Sequence, residues 1–322
     1  MQKISQIVKM KKITFTCEIV SPMFSGSAYK NTLEFRPTEL KASLRFWWRA
    51  MHPNLSLDEM RKKEFKIFGS GNDITNKSHV RIIDFEIQLN NNRINDIYYD
   101  NVTNNRNNRS NNNDNIVIIK KAKLPHKRGR EQGKSLAFVS GTFSITFGLI
   151  NEQIFSSNQL IALMKIASYL GGLGTRSRRG MGAWRIIQID DNPINEYVNL
   201  QNIYDNIALF SGQTYTINHN KIFVSNKIER SYPYIREIYL GSNGETNVDN
   251  LTYKIINTAH KIKGQDSDNY KNCAGNSRPR LASPIYISII KNNNQYFPVI
   301  TFLNKEKSGC QGIYNKFKAL LQ

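Results

Sequence analysis

The chain has 322 residues, with 45 Lys and Arg against 25 Asp and Glu and a formal net charge of +20. That length is enough for about two domains with buried cores. The charge excludes an ordinary soluble enzyme composition and favours a polyanionic partner, because neutralising phosphates releases condensed counterions.

Taken from the N-terminus, Met1 to Lys12 is basic but lacks the apolar segment of a secretory signal. No apolar run approaches the ~20 residues that cross a bilayer, so nucleic acid is preferred to a membrane as the polyanion. Alternation of Phe15, Cys17 and Ile19 with polar neighbours predicts a strand over Ile13–Val20, stopped by Ser21-Pro22. Pro37 and Thr38 signal the start of a helix that runs to about Met51. Strands are expected at Val80–Leu89, Ile116–Ile119, Ala137–Ile150 and Ala183–Ile189, with a helix at Ser157–Leu170. The order is roughly β-α-β-β-α-β, a ferredoxin-like α+β unit. Between Leu89 and Ile116 the chain is about half asparagine and is expected to be an excursion between strands that buries nothing. Lys120 to Lys134 follows as a basic loop, either solvated or in contact with RNA or a partner.

Asp190-Asp191-Asn192-Pro193 suggests a domain boundary, giving units of 1–190 and 191–322. In the second, Asp249–Lys263 reads as a helix, Ser283–Lys291 and Gln295–Phe302 as a hairpin across Asn292-Asn293-Asn294, and Ile313–Leu321 as a closing helix. A reduced version of the first β/α plan is expected there. Cys17, Cys273 and Cys310 are far apart and odd in number, and the five histidines show no metal-ligand spacing. A reduced, cytoplasmic chain with no metal or cofactor is expected.

Two stretches carry the functional signal. In Gly171–Trp184, GGLGTRSRRGMGAW, the pairs Gly172/Gly174 and Gly180/Gly182 bracket Arg176, Arg178 and Arg179. Glycines permit positive φ and close backbone approach. A loop of this kind is expected to turn N–H groups outward to anions, and guanidiniums match phosphate oxygens with a forked donor set. It is not a nucleotide-binding P-loop: at Gly133-Lys134-Ser135 the position that needs the first glycine holds Arg128. Nor is it G-x-G-x-x-G, since the spacing differs and a helix precedes it. The plain alternative is a helix–strand connection with solvated arginines.

The second stretch is the helix beginning at Arg36-Pro37. Leu40, Leu44, Trp47, Trp48 and Met51 share one face, while Lys41, Arg45 and Arg49 recur every four residues on a basic edge. Cations can follow phosphates and a ring such as Trp48 can stack on a base, although adjacent tryptophans on an amphipathic helix more often serve a core.

Ser21-Pro22-Met23-Phe24-Ser25-Gly26, RPTELKASLRFWWRAM and GGLGTRSRRGMGAW together resemble the RAMP superfamily of CRISPR proteins, whose glycine pattern G-h-G-x₅-G-h-G (h apolar) fits Gly172 to Gly182. More narrowly the chain is similar to subunit one of the Cmr (type III-B) RNA-guided effector complex. Ser27 and Ala42 stand where glycines are common in that family. Arg280-Leu281-Ala282-Ser283-Pro284 is similar to a short segment of the family's second domain. The resemblance implies two ferredoxin-like domains, the second degenerate. It also implies guide RNA, target RNA and other RAMP subunits of the Cmr complex as partners, with target cleavage carried by a different subunit. The site expected on these grounds is Lys41, Arg45, Trp48, Arg49, Gly172, Gly174, Arg176, Arg178, Arg179, Gly180 and Gly182, with no catalytic residue. Two alternatives remain: a metal-independent guide-processing endoribonuclease using His52 or His126 as base, and a generic basic scaffold.

Overall fold

The computed structural model describes residues 10–29, 32–70, 77–95, 134–226, 228–265, 267–277, 279–304 and 309–322. The expected strand at Ile116–Ile119, His126 and nearly all of the basic loop at Lys120–Lys134 lie outside these residues.

The first half builds one sheet. Strand β1 (Lys11–Ile19) buries Ile13, Phe15, Cys17 and Ile19, the alternation read from the sequence. Helix α1 (Pro37–Ala50) starts with Pro37, whose fixed φ suits the first turn, and buries Leu40, Leu44, Trp47, Trp48 and Ala50. Helix α2 (Leu57–Phe68) was not anticipated. It is nucleated by a capping box in which Ser56 accepts from the Glu59 N–H and the Glu59 carboxylate accepts from the Ser56 N–H. Strands β2 (Val80–Asn95) and β3 (Lys134–Leu149) pair along their whole length, so the asparagine-rich tract contributes Asn90–Asn95 to the ladder rather than leaving the sheet at Leu89. Helix α3 (Ser157–Leu170) has the expected bounds, and β4 (Trp184–Ile189) follows. The strand order is β2-β3-β1-β4, every pair antiparallel, with β5 (Asn192–Pro193) added at the β4 edge. That is the ferredoxin-like arrangement.

The second half runs through α4 (Leu200–Ser211), β6 (Tyr215–Ile217), β7 (Ile222–Val224), β8 (Ile235–Leu240), α5 (Val248–Gln265) and α6 (Ser267–Ala274). It continues through the short pair β9 (Asn276–Ser277) and β10 (Arg280–Leu281), then β11 (Ile285–Asn292), β12 (Gln295–Leu303) and α7 (Gln311–Lys318). The β11–β12 hairpin turns at Asn293-Asn294, with Asn293 at φ 52°. The sheet order is β11-β12-β8-β7-β6. Strands β8, β12 and β11 therefore stand to one another as β1, β3 and β2 do, while β7, from upstream in the chain, takes the edge that β4 holds in the first sheet.

The larger buried cluster is continuous across both halves, joining Trp47, Leu163 and Trp184 to Ile203, Ile235, Tyr286 and Val299. The smaller one lies among α5, α6, α7, β11 and β12. It contains a correction to the expected thiols: Cys273 at the end of α6 and Cys310 at the start of α7 form a disulfide, and Cys17 is the buried free cysteine. The pair is separated by 37 positions in sequence, and only the packing of α6 on α7 brings it together.

Candidate nucleic-acid interface

Lys41, Arg45 and Arg49 form one row along α1, as the four-residue spacing dictates. Glu64 of α2 lies buried beside that row. Arg45 Nε donates to Glu64 Oε1 at 2.6 Å, and Arg49 donates to the same oxygen at 2.5 Å. The two arginine side chains nevertheless keep 30 % and 32 % of their surface. One carboxylate shared by two guanidiniums leaves a positive charge in excess and fixes where both forks sit. Lys41 Nζ donates to Ser78 Oγ at 3.1 Å, and Arg81 Nε donates to the Ser78 carbonyl at 3.2 Å. Burial, then the neighbouring Arg45 and Arg81, hold the Lys41 pKa below its ordinary value. His79 is depressed in the same way by burial, Lys66 and Arg81. Lys41, Arg45, Arg49 and Arg81 lie along this flank, and Glu64 offsets one of their four charges, which leaves it electropositive.

Trp48 is at a different address from the one a stacking platform needs. It is 2 % exposed, its ring 4.3 Å from His52 and 6.4 Å from Phe68. It supports α1 from the core side. His52 is buried too, with Nδ1 2.6 Å from the Trp48 carbonyl oxygen, and burial lowers its pKa to about 4. It presents no exposed imidazole to a ribose hydroxyl.

The glycine–arginine loop is woven into the fold rather than free. Leu173 and Gly182 pair, Thr175 N–H donates to Phe24 O at 2.9 Å, Gly182 N–H to Pro22 O at 2.9 Å, and Gly180 N–H to Ile287 O at 2.8 Å. Gly174 N–H donates to Glu39 Oε1. These donors are spent inside the protein, which corrects the expectation of a backbone cradle turned outward to anions. The glycines are needed because strands of chain pass so close: a Cβ on Gly182, at φ 66°, would sit 1.8 Å from Leu173 O. Gly172 is just as tight, 2.5 Å from Met181 O. Gly171 takes φ −109°, not the left-handed geometry of a helix C′ residue; its missing side chain makes room for the Trp47 indole.

The three loop arginines differ. Arg179 donates to the carbonyls of Arg178 (2.9 Å), Ile285 (3.0 Å) and Ala274 (3.1 Å) and to Ser283 Oγ (3.1 Å). Its fork is filled by the second half. Arg178 donates to the Ser283 carbonyl and lies 4.5 Å over the Tyr286 ring. Arg176 is half-buried at φ 64°.

Tyr286, on β11, is where the two predicted elements meet. Phe46 of α1 stacks on it at 5.2 Å, Trp47 contacts it at 5.1 Å, and Arg178 covers it. Burial pushes its hydroxyl up to about 12, with Arg178 and then Arg49 pulling the other way. A second tie is Glu39 in the first turn of α1, which accepts from Gly174 N–H with one oxygen and from Ser25 Oγ at 2.6 Å with the other. Helix α1 and the glycine loop are thus fastened to each other through Tyr286 and Glu39.

A family model described as the RAMP superfamily matches residues 16–185, which include α1 and the whole glycine loop. The chain belongs to the RAMP superfamily. Among RAMP relatives, the CRISPR system Cmr subunit Cmr1-2 of Pyrococcus furiosus is 25 % identical over 187 residues, 55 % of this chain and 96 % of that one. The apo crystal structure of Cmr1 from Pyrococcus furiosus superposes with a TM-score of 0.57 at 15 % identity, covering 91 % of this chain and 88 % of that one. A chain in the cryo-EM structure of the Type III-B Cmr-beta bound to cognate target RNA gives 0.55 at 13 % identity, covering 97 % and 100 %. At those identities the structural likeness concerns the fold.

Several residues that shape this RAMP surface were missed from sequence: Glu64, Glu39, Ser78, Arg81, Ser283 and Tyr286. Glu64 was findable, because Ser56-x-x-Glu59 ahead of an apolar-periodic run marks α2. Ser283 lies in the Arg280–Pro284 segment that resembles the family's second domain, but its contact with Arg178 and Arg179 was not readable there; Tyr286 carries no local signal, since its role depends on the second sheet docking against the loop. Among the described residues no group of three or more His, Cys, Asp or Glu is placed to hold a metal ion, and no helix is long and apolar enough to cross a membrane.

Proposed function

We propose that this RAMP protein is a non-catalytic, RNA-binding subunit of a type III-B CRISPR effector (Cmr) complex, engaging the 3′ part of guide RNA and/or target RNA in antiviral defence. It works in the cytoplasm beside other RAMP subunits, as a first ferredoxin-like domain over 1–190 and a reduced second one over 191–322. The observation that carries this reading is the junction at Tyr286 of Phe46 and Trp47 of α1, the helix that bears the cation row, with Arg178 of the glycine loop, on a chain charged +20. Lys41, Arg45, Arg49, Arg176 and Arg178 are the phosphate contacts in this reading. Gly172, Gly174, Gly180 and Gly182 shape the loop, Trp48 props α1, and Arg179 fastens the loop to the second half. The relatives' names, Cmr subunits and a complex bound to cognate target RNA, agree with it.

The test is a salt titration of single-stranded RNA binding. Each phosphate neutralised contributes a slope of ~0.7 in log K against log salt. Replacing Lys41, Arg45 and Arg49 by alanine is expected to weaken binding and flatten the slope by about 2. Replacing Arg176 and Arg178 extends the loss to the loop. An unchanged titration in both variants removes this surface from the RNA.

A further inference from the structure

A second group of cations, none of them in the α1 row or the glycine loop's arginine cluster, surrounds a cavity of about 410 Å³ where the two halves meet. Strand β4 contributes Trp184 and Arg185 to its wall, β11 contributes Lys291, α3 contributes Lys165, and the segment around Glu196 closes it. We infer that this cavity receives one carboxylate side chain, Asp or Glu, from a neighbouring protein subunit, an inference that rests on the proposed place of the chain in a multi-subunit complex.

Arg185 Nε donates to Glu18 Oε2 at 2.6 Å, and Lys291 Nζ reaches the other oxygen of Glu18 at 3.4 Å. Lys165 Nζ lies 2.5 Å from Glu196 Oε2, which also accepts from the Tyr169 hydroxyl at 3.2 Å. Three cations against two carboxylates leave one positive charge in excess. Arg185 spends only its Nε: its terminal nitrogens have no acceptor among the described residues, and its side chain keeps 36 % of its surface. The indole N–H of Trp184 is buried without a hydrogen-bond partner, where a buried donor ordinarily finds one. An open guanidinium edge and an ammonium form a donor set for an oxyanion, and the guanidinium edge matches a carboxylate in two-point fashion. The excess balances one carboxylate. A phosphomonoester carries about −1.5 to −2 and would overshoot it, and an RNA strand would bring further phosphates against Glu18 and Glu196.

The wall is formed in advance of any partner. Ile194 N–H donates to Ile187 O at 2.8 Å, tying the start of the closing segment to β4. At its other end Val198 N–H donates to Asn292 Oδ1 at 2.9 Å while Asn292 Nδ2 donates to Val198 O at 2.8 Å, tying it to β11. Tyr197, between these ties, is exposed and offers a partner an apolar contact on the segment that closes the cavity. Arginine, tyrosine and tryptophan around a small preformed pocket are the residue types that anchor protein interfaces, and a preformed wall lowers the ordering cost of docking.

The experiment uses the full chain with isotope-labelled indole nitrogens, the Trp184 resonance being assigned with Trp184→Phe. The probe is N-acetylglutamate N-methylamide, the smallest mimic of a partner's side chain, and N-acetylglutamine N-methylamide is its uncharged match. The glutamate probe is expected to shift the Trp184 indole resonance saturably, and the glutamine probe to leave it in place. Arg185→Gln weakens that binding roughly ten- to a hundredfold, the range for one hydrogen bond to a charged group. Arg185→Lys keeps the charge, loses the fork and recovers only part of the affinity. RNA affinity and its salt slope stay the same in all three proteins. If the glutamate probe leaves Trp184 unmoved, or binds Arg185→Gln as well as wild type, the inference is overturned. If inorganic phosphate or single-stranded RNA moves the resonance and the glutamate probe does not, the cavity serves the nucleic acid and the inference is equally overturned. A tagged chain that co-purifies with no other protein subunit overturns the proposed assembly and the partner with it, a result independent of what Trp184 reports.

Discussion

Arg178 holds its guanidinium 4.5 Å over the ring of Tyr286, so a loop of the first half and a strand of the second share one cation–aromatic contact. Its neighbour Arg179 turns the other way, into carbonyls of Ala274 and Ile285. Adjacent arginines therefore have separable roles. Arg179→Ala removes this donor from the Ala274 carbonyl and leaves the Ile285 carbonyl to the Ser283 hydroxyl, and is expected to cost about 2–4 kcal/mol of stability. Arg179→Lys restores little, because an ammonium lacks the forked donor set. Arg178→Ala is expected to lower Tm less and RNA affinity more. Thermal melts and binding titrations on the same preparations separate the two; equal Tm losses would refute the division.

Gly182→Ala tests how tightly the loop is threaded. The added Cβ meets Leu173 O at 1.8 Å in a backbone already at φ 66°, and the neighbour is main chain that cannot swing aside. The expected result is a loss of at least about 3 kcal/mol, seen as insoluble or low-melting protein. Gly212→Ala is the control: φ is 57° but nothing lies within 4 Å, so only the roughly 1–2 kcal/mol left-handed penalty applies.

Where local periodicity decides structure, the sequence was readable. Helix α3 and strand β1 follow from residues that face the core at helical or alternating spacing, and the Arg45–Arg49 row follows from helical geometry alone. What escaped depends on partners distant in the chain. Trp48 could be placed in the core only once α2 and His52 were packed against it. The loop arginines read as free because their acceptors, Ser283 and Ile285, lie more than a hundred residues away. The disulfide between α6 and α7 spans only 37 positions, and it too depends on tertiary packing rather than on local pattern.

Glu64→Gln should expose the tension in the α1 row. The carboxylate holds two guanidiniums through one oxygen, and removing its charge leaves them facing each other. Both arginines are about a third exposed, so solvent screens much of the repulsion, and the expected destabilisation is about 1–2 kcal/mol. The released cations are expected to steepen the salt slope of RNA binding by up to ~0.7. A lower Tm with an unaltered slope would show that Arg45 and Arg49 lie off the path of the strand.

Cys273 and Cys310 tie α6 to α7 next to the Ala274 carbonyl that Arg179 holds. Replacing both by serine is expected to cost about 2–4 kcal/mol, the usual range for closing a loop of this length. Alkylation of unfolded, unreduced protein is expected to label Cys17 alone, and reduction to raise the count to all three cysteines. Three labelled thiols before reduction would mean that the bridge does not form.

His52 gives the fold a pH dependence whose sign is fixed by burial. Its pKa falls from 6.5 to about 4 in the folded chain, so the neutral imidazole is the native form. Stability from this group is therefore complete above pH 6.5 and is lost as pH falls toward about 4, where the unfolded chain binds the proton first. A drop of roughly 2.5 units at 1.36 kcal/mol each makes this about 3 kcal/mol. Carboxylates also titrate in that window, so the measurement is a difference: unfolding free energy of wild type minus His52→Gln at pH 7 and at pH 4. The gap is expected to shrink by about 3 kcal/mol on acidification. A constant gap would mean that His52 is solvated in the folded protein, which would reopen the question of whether its imidazole can reach an RNA 2′-hydroxyl.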